Sequence, residues 1–411
     1  MSIEIRNADP SEYRAVVDTV ATAFLDRPAS LDAIAESMHR NWEPARSWIA
    51  VDDGKVAGVF RSWPTELTVP GGATLTAAAV GPVTVLPTHR RRGILNGLAA
   101  AEDRAIRERG EAVALLHASE YGIYGRYGYG PGTRSADWTI NTVASGGVHG
   151  TPTGSIELLP VDATTRALLE QLHDGQRLRQ AGEVTRREVD WVAYLGIEET
   201  PWGSRWKGWV AVHRDASGEP DGYVRYQGES KEHGLLPGGI LKVNEIVGLD
   251  DDAYADLLRF VIEVDLVRTV KLENRPVTER ARWLVRNARA VSEDPSWDSV
   301  WVRLFDVRAA LEARTYEQAR RLVLEVIDPG AAGGRWCLEL DAGPDGARCL
   351  ETSRSPDLTL PVAALGAAYL GGTRLRDITV GTGFEEHRAG ALADADALLR
   401  TAVEPYCSTH F

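Results

Sequence analysis

The stretch Val83-Thr84-Val85-Leu86-Pro87-Thr88-His89-Arg90-Arg91-Arg92-Gly93-Ile94-Leu95-Asn96 decides how this chain folds. The apolar run Leu75 to Leu86 reads as a strand, which Pro87 ends because it has no N–H to give a ladder. After the basic loop, Ile94, Leu98, Ala101 and Ala105 recur at helical spacing, with Asn96, Asp103 and Arg104 outside that stripe. Amides at a helix start are unpaired and sit at the positive end of the helix dipole, so strand, basic loop and helix together suit a phosphate. Arg90, Arg91 and Arg92 add charge, and Gly93 lets the backbone approach the anion. By itself the loop reads more simply as a solvated basic turn, because only five of the 46 basic residues are lysine and arginine is common everywhere.

The flanking sequence supplies context. Asp9-Pro10-Ser11-Glu12 is a helix start with a cap, a proline and a capping-box glutamate, and Tyr13, Val16, Val17, Val20 and Phe24 continue it. A second helix is expected over 31–40. Ser47 to Val51, the Asp52-Asp53-Gly54-Lys55 turn and Val56 to Ser62 read as a hairpin, with Glu66 to Val69 continuing it. Glu111 to His117 is the strand after the loop's helix. The order predicts an α/β unit with helices on a mixed sheet. Ala118-Ser119-Glu120-Tyr121-Gly122-Ile123-Tyr124-Gly125-Arg126-Tyr127-Gly128-Tyr129-Gly130 follows, a run that reads as edge-strand packing or as a site.

With 411 residues the chain is too long for one core. Val143 to Gly154 has linker composition, and a second boundary falls near Ser292–Ser296, giving expected domains 1–150, 151–294 and 295–411. The middle segment repeats the strand–helix order, but Asp250-Asp251-Asp252 stands where a phosphate loop would be, so this domain reads as structural. The net charge of −13 disfavours nucleic acid and favours small cationic partners. No apolar run approaches the roughly 20 residues of a membrane span, no secretory leader is expected, and three cysteines without Cys-x-x-Cys spacing point to a cytoplasmic protein. No metal is expected, since none of the nine histidines forms a His-x-x-x-His pair.

The residues Val83 to Gly93, Ala118-Ser119-Glu120 and Ile123 to Gly130 resemble the Eis (enhanced intracellular survival) acetyltransferases of actinobacteria. The likeness is strongest over 80–132 and at the C-terminal tail. It implies an α/β (α+β) architecture of tandem GNAT folds followed by a sterol-carrier-protein-like domain. It also implies acetyl transfer from acetyl-CoA to amines, aminoglycoside-type acceptors among them and at several positions, by a homohexamer. Carried over by motif, Val83, Thr84 and Val85 would hold the acetyl and pantetheine end. Arg90, Arg91, Arg92, Gly93, Ile94, Leu95 and Asn96 would hold the pyrophosphate, with Leu95 where the family usually has Gly or Ala. Ser119 and Glu120 would lie near the cofactor.

Tyr124 would be the general acid. A tyrosine of ordinary pKa about 10 is protonated at neutral pH and can meet a departing thiolate of pKa about 8.5. The carboxylate of Phe411 would be the general base, although a free α-carboxyl titrates near about 3.5 and needs burial or a water relay to serve. The tail Pro405-Tyr406-Cys407-Ser408-Thr409-His410-Phe411 carries two further reasons for attention: two aromatic residues and, with His410 neutral, no charged side chain. Asp26 reads either as an acidic wall for a cationic acceptor or as a helix cap. His117 reads as a core histidine and the cysteines as packing. Two other functions remain open: acetylation of protein lysines, and a lipid or sterol carrier whose transferase domain is inactive and whose Leu358–Leu370 stretch lines a tunnel.

Overall fold

The computed structural model describes residues 3–26, 42–197, 205–229, 236–330, 333–379 and 383–411, with a few isolated positions between them. The helix expected over 31–40 lies largely outside the described residues.

Asp9 caps the chain's first turn, accepting from Ser11 N while Glu12 reaches back, and α1 (Tyr13–Ala23) follows. Strands β1 (Glu4–Asn7), β2 (Ser47–Asp52), β3 (Lys55–Thr68) and β4 (Thr74–Val85) are neighbours in sequence and in the sheet. β3 runs straight through Pro64. Its pairing with β2 stops at Arg61, so the missing N–H of Pro64 falls on an open edge. After the basic loop come α2 (Ile94–Glu108) and β5 (Val113–His117), parallel to β4.

α2 and α1 cover opposite faces of this sheet. Phe60 of β3 packs with Ile94 and Leu98 of α2, and Ser62 bonds Glu102 of α2. Val59 packs with Val16 and Val20 of α1. Gly58 sets how closely α2 lies, since a Cβ there would sit 2.9 Å from Ile94. Burying a side chain such as Ile94 or Leu98 in this way is worth about 1.5–3 kcal/mol.

Beyond β5 the chain departs from a simple bead-on-string order. The next strand of the first sheet is Val300–Leu304, antiparallel to β5, with the short β6 (Gly130–Pro131) outside it. Conversely β7 (Arg134–Asn141) belongs to the second sheet, between Val267–Pro276 and Val291–Asp298. The two units thus exchange a strand, and the crossing lies between β6 and β7. The glycine-rich 143–154 segment joins two strands of one sheet, β7 and β8 (Ser155–Leu159). Strand exchange also explains a buried acid: Asp103, expected outside the apolar stripe of α2, is buried with Arg303, which donates to Asp103 at 2.8 Å and through its other nitrogen to Asp328 at 3.2 Å.

The second sheet repeats the order of the first: Ser155–Leu159, Trp209–Arg214, Pro220–Glu229, Gly239–Gly248 and Val267–Pro276 lie side by side in that succession, as β1 to β5 do. Asp250 caps the helix Asp251–Glu263 through Ala253 N at 2.8 Å, which accounts for the acidic trio. In the third unit, Arg320–Asp328, Gly334–Gly343, Gly346–Glu351, Leu358–Pro361 and Glu385–Glu386 form one sheet. Its helix Val362–Ala368 lies directly on the exchanged strand, where Cβ atoms at Gly130 and Gly366 would collide with the carbonyls of Ala363 and Val302. Leu358, Leu360, Leu365 and Leu370 fill a core shared with Leu115, Val302 and Leu304. No helix of the described residues is long and apolar enough to cross a membrane.

Candidate active site

The site forms where β4 and β5 part. Their parallel pairing runs from Ala77–Val113 to Val80–Leu116 and then stops. On the other side β4 keeps pairing with β3, through Phe60–Val83, Val59–Thr84 and Gly58–Val85, after a bulge in which Arg61 faces both Gly81 and Pro82. Val83, Thr84 and Val85 therefore present one backbone edge with no strand partner, and the buried Thr84 hydroxyl has no hydrogen bond among the described residues. Unpaired backbone beside a cleft is available to an extended ligand.

At the far end of that edge α2 begins. Gly93 has φ +77 and Arg91 φ +63, so the loop curls into a left-handed turn that aims its amides outward. Arg92 is tied to Asp52 at 2.8 Å. Arg90 and Arg91 are exposed and make no ion pair among the described residues. Ile94 is buried and Leu95 half-buried in the core, while Asn96 accepts from the Tyr127 hydroxyl at 2.6 Å. This bond fastens the aromatic-glycine run to the first turn of α2.

Tyr124 lies on that run, in the short helix Tyr121–Tyr124 that follows exposed Ser119 and Glu120. Its ring packs 6.2 Å from that of Tyr129, and its hydroxyl has no hydrogen bond among the described residues. Burial, then the charge of Glu120, pushes the phenol up to about 12. It is fully protonated at neutral pH.

The tail arrives from the opposite side. Phe411 packs edge-on against His117, the last residue of β5, at 4.6 Å, and against Trp63 at 6.0 Å, while the His410 ring lies 4.4 Å from His117. The three residues after His117 lead into the Tyr121–Tyr124 helix, so Tyr124 follows the strand end against which the chain's last residue packs. The buried Nε2 of His117 makes no hydrogen bond among the described residues. Burial, with His410 beside it, lowers its pKa to about 3, so it is neutral. Asp26 is exposed just past α1, its N–H bonded to the Ala21 carbonyl.

What holds the tail was not legible in sequence. Glu183 accepts from Ser408 N at 2.6 Å, Ser408 Oγ at 2.7 Å, Thr409 Oγ1 at 2.7 Å and Thr409 N at 3.3 Å. Arg186 donates to Thr409 Oγ1 at 2.9 Å and Ser408 Oγ at 2.7 Å, and pairs with Glu245. Burial would raise the Glu183 carboxyl, but His173, Arg186 and Ser408 outweigh it and hold it far below the usual range. Asn274 donates to the Ser408 carbonyl at 3.3 Å. Glu245 and Asn274 stand where the parallel strands Gly239–Gly248 and Val267–Pro276 part in their turn, beyond the Val243–Leu272 pair. The second unit's opening thus grips the tail, and the tail ends at the first unit's opening. The only prior sign was the uncharged tail itself; Glu183 and Arg186 lie in a stretch with no motif. Beyond the tail a cavity of about 270 Å³ touches Tyr406 and Ser408, but its Arg275 and Arg177 are already paired with Glu279 and Asp174.

A parted pair of parallel strands leading to a basic helix start is the geometry of an acyl-CoA transferase. In agreement, residues 4–132 and 182–308 each match a family model for the GNAT acetyltransferase domain, and 307–408 match the sterol carrier protein domain. An uncharacterized N-acetyltransferase of Streptomyces griseus is 37% identical over 422 residues, covering all of both chains. The N-acetyltransferase Eis of Mycobacterium tuberculosis is 32% identical over 375 residues, 87% of this chain and 84% of that one. The crystal structure of Eis1 from Mycobacterium abscessus superposes with a TM-score of 0.84 at 32% identity over the whole of both chains. The chain belongs to the Eis family of GNAT N-acetyltransferases. It has two GNAT domains and a sterol-carrier-protein-like C-terminal domain.

Proposed function

We propose that this N-acetyltransferase moves the acetyl group of acetyl-CoA to a primary amine of a small molecule at the β4–β5 opening, with Tyr124 and the Phe411 carboxylate on either side of the thioester. The observation that carries this reading is the anchoring of Ser408 and Thr409 by Glu183, which delivers Phe411 to His117 at the end of β5.

In this reading the exposed Arg90 and Arg91 and the amides following Gly93 hold the pyrophosphate, with Ile94, Leu95 and Asn96 forming the first turn beneath it and Arg92 fixed by Asp52. The free edge of Val83, Thr84 and Val85 aligns the pantetheine and acetyl end, its N–H groups stabilising the oxyanion. Ser119 and Glu120 border the cofactor. The amine attacks the carbonyl, and its N–H becomes far more acidic once the C–N bond forms. The Phe411 carboxylate then accepts that proton, with neutral His117 placed to orient a relaying water. Tyr124 donates to the departing sulfur. At a pKa of about 12, full handover to a thiolate of about 8.5 is uphill by about 5 kcal/mol. The phenol therefore acts chiefly as a hydrogen-bond donor that tightens as charge grows on sulfur.

The net charge of −13 and exposed Asp26 support acceptors with additional positive charge, aminoglycosides among them, with acetylation at more than one amine. A homohexamer is proposed with them, and a molar mass six times that of the chain in light scattering would bear it out. The test of the function is acetyl-CoA consumption against a panel of amines with the products read by mass spectrometry. N-acetylated product supports the reading; hydrolysis alone or no turnover refutes it.

A further inference from the structure

Alternation along β3 separates two sides of the site. Gly58, Phe60 and Ser62 face α2 and the cofactor's helix, whereas Val59, Arg61 and Trp63 face the other way, toward α1 and the tail. Arg61 on that acceptor side is only 8% exposed, yet its side chain makes no hydrogen bond or ion pair among the described residues, and its Nε is completely buried without a partner. Its guanidinium lies 4.9 Å over the ring of Trp42. The indole Nε1 of Trp42 is buried and has no partner either. Both groups can only donate, and a buried donor left unmade costs about 1–3 kcal/mol, more when charged.

The charges around Arg61 deepen the deficit. Arg187, stacked 4.1 Å over Trp63, repels it, and Glu43, the carboxylate that offsets this, is itself 3.5 Å from Arg46. Burial and Arg187 together lower the Arg61 pKa to about 10, so it remains charged at neutral pH. An oxyanion placed between the guanidinium and the indole N–H would satisfy both donors and offset the repulsion from Arg187. Trp63, two residues along β3 from Arg61, touches the Phe411 ring at 6.0 Å. A residue pair i and i+2 spans about 7 Å, which puts the unpaired donors on the order of 10 Å from the chain's terminus.

We propose that Arg61 and the Trp42 indole form an anion subsite, so that amines that also carry a carboxylate or phosphate several bonds from the nitrogen are acceptors in their own right. This rests on the transferase reading above and adds amino acids and their phosphate analogues to the polycationic acceptors named there.

The experiment measures kcat/KM for matched acceptors: 6-aminohexanoate against hexylamine, 6-aminohexyl phosphate as the phosphate arm, and kanamycin as the polycation. The full chain is predicted to prefer at least one acidic amine over hexylamine by tenfold or more, and the better of the two arms identifies the oxyanion. Arg61→Gln should reduce that ratio about tenfold, mainly through KM, and Arg61→Lys should restore part of it. Acetylation of hexylamine in preference to both acidic amines overturns the subsite while leaving the transferase intact. So does a ratio unmoved in an Arg61→Gln protein that melts like the parent. No transfer to any amine overturns both.

Discussion

Replacing Glu183 by glutamine changes one charge and almost no volume, yet it should release the tail. The carboxylate receives four hydrogen bonds from Ser408 and Thr409, three of them at 2.7 Å or less. An amide has one oxygen and one donor group, so the tail donors on one side would face another donor. Hydrogen bonds to a charged partner are worth about 1.5–3 kcal/mol each, and two are lost in a buried site. Docking then weakens by about 3–5 kcal/mol, a shift of about a hundredfold to several thousandfold toward the undocked tail. The fold survives, because a whole-chain stability of about 5–15 kcal/mol is spread over the three cores. Carboxypeptidase digestion reads the docking directly: Phe411 and His410 should be released at least tenfold faster from Glu183→Gln. Turnover should fall more than tenfold with KM for acetyl-CoA within about twofold. Unchanged protease resistance together with unchanged turnover would refute the anchoring argument.

Four other perturbations separate the parts. Tyr124→Phe should lower kcat about a hundredfold with acetyl-CoA affinity preserved, and equal turnover removes Tyr124 from the chemistry. A short peptide added after Phe411 should abolish most activity in the same acetylation assay, because it moves the carboxylate off the strand end. Arg91→Glu should raise KM for acetyl-CoA several-fold while leaving the melting temperature within a degree or two, since the side chain is exposed and unpaired. Acid should destabilise the protein from about pH 6.5 downward. The unfolded chain protonates His117 near its ordinary value of 6.5, but the folded chain does so only near 3, so protons favour unfolding in between. That stability is complete above about pH 6.5 and is lost toward pH 3 at up to about 1.4 kcal/mol per unit. Denaturant midpoints against pH, with His117→Asn as the control that flattens the slope, check it.

Local patterns carried much of this in the sequence. Asp9 to Glu12 as a cap and Ile94 and Leu98 as the inner face of α2 follow from short-range rules, and the structure has both. The tandem layout came from resemblance. What sequence could not convey is long-range pairing. Val300–Leu304 is as apolar as any core strand, and nothing in it says that its partners are β5 and β6 rather than the third unit's own strands. For the same reason Asp103 looked exposed: its partner Arg303 is two hundred residues away. The tail grip depends on Glu183 and Arg186, whose side chains have meaning only once the second sheet opens beside them. The second unit, which reads as structural, is what positions the end of the chain.

The most direct measurement is a crystal structure with coenzyme A and a non-hydrolysable acetyl analogue. The account predicts the pyrophosphate on the amides after Gly93, and the sulfur within hydrogen-bond reach, about 3–3.5 Å, of the Tyr124 hydroxyl. The Phe411 carboxylate should face the opposite side of the acetyl carbon. A cofactor lodged in the second unit's opening, or a sulfur turned away from Tyr124 toward solvent, would contradict it.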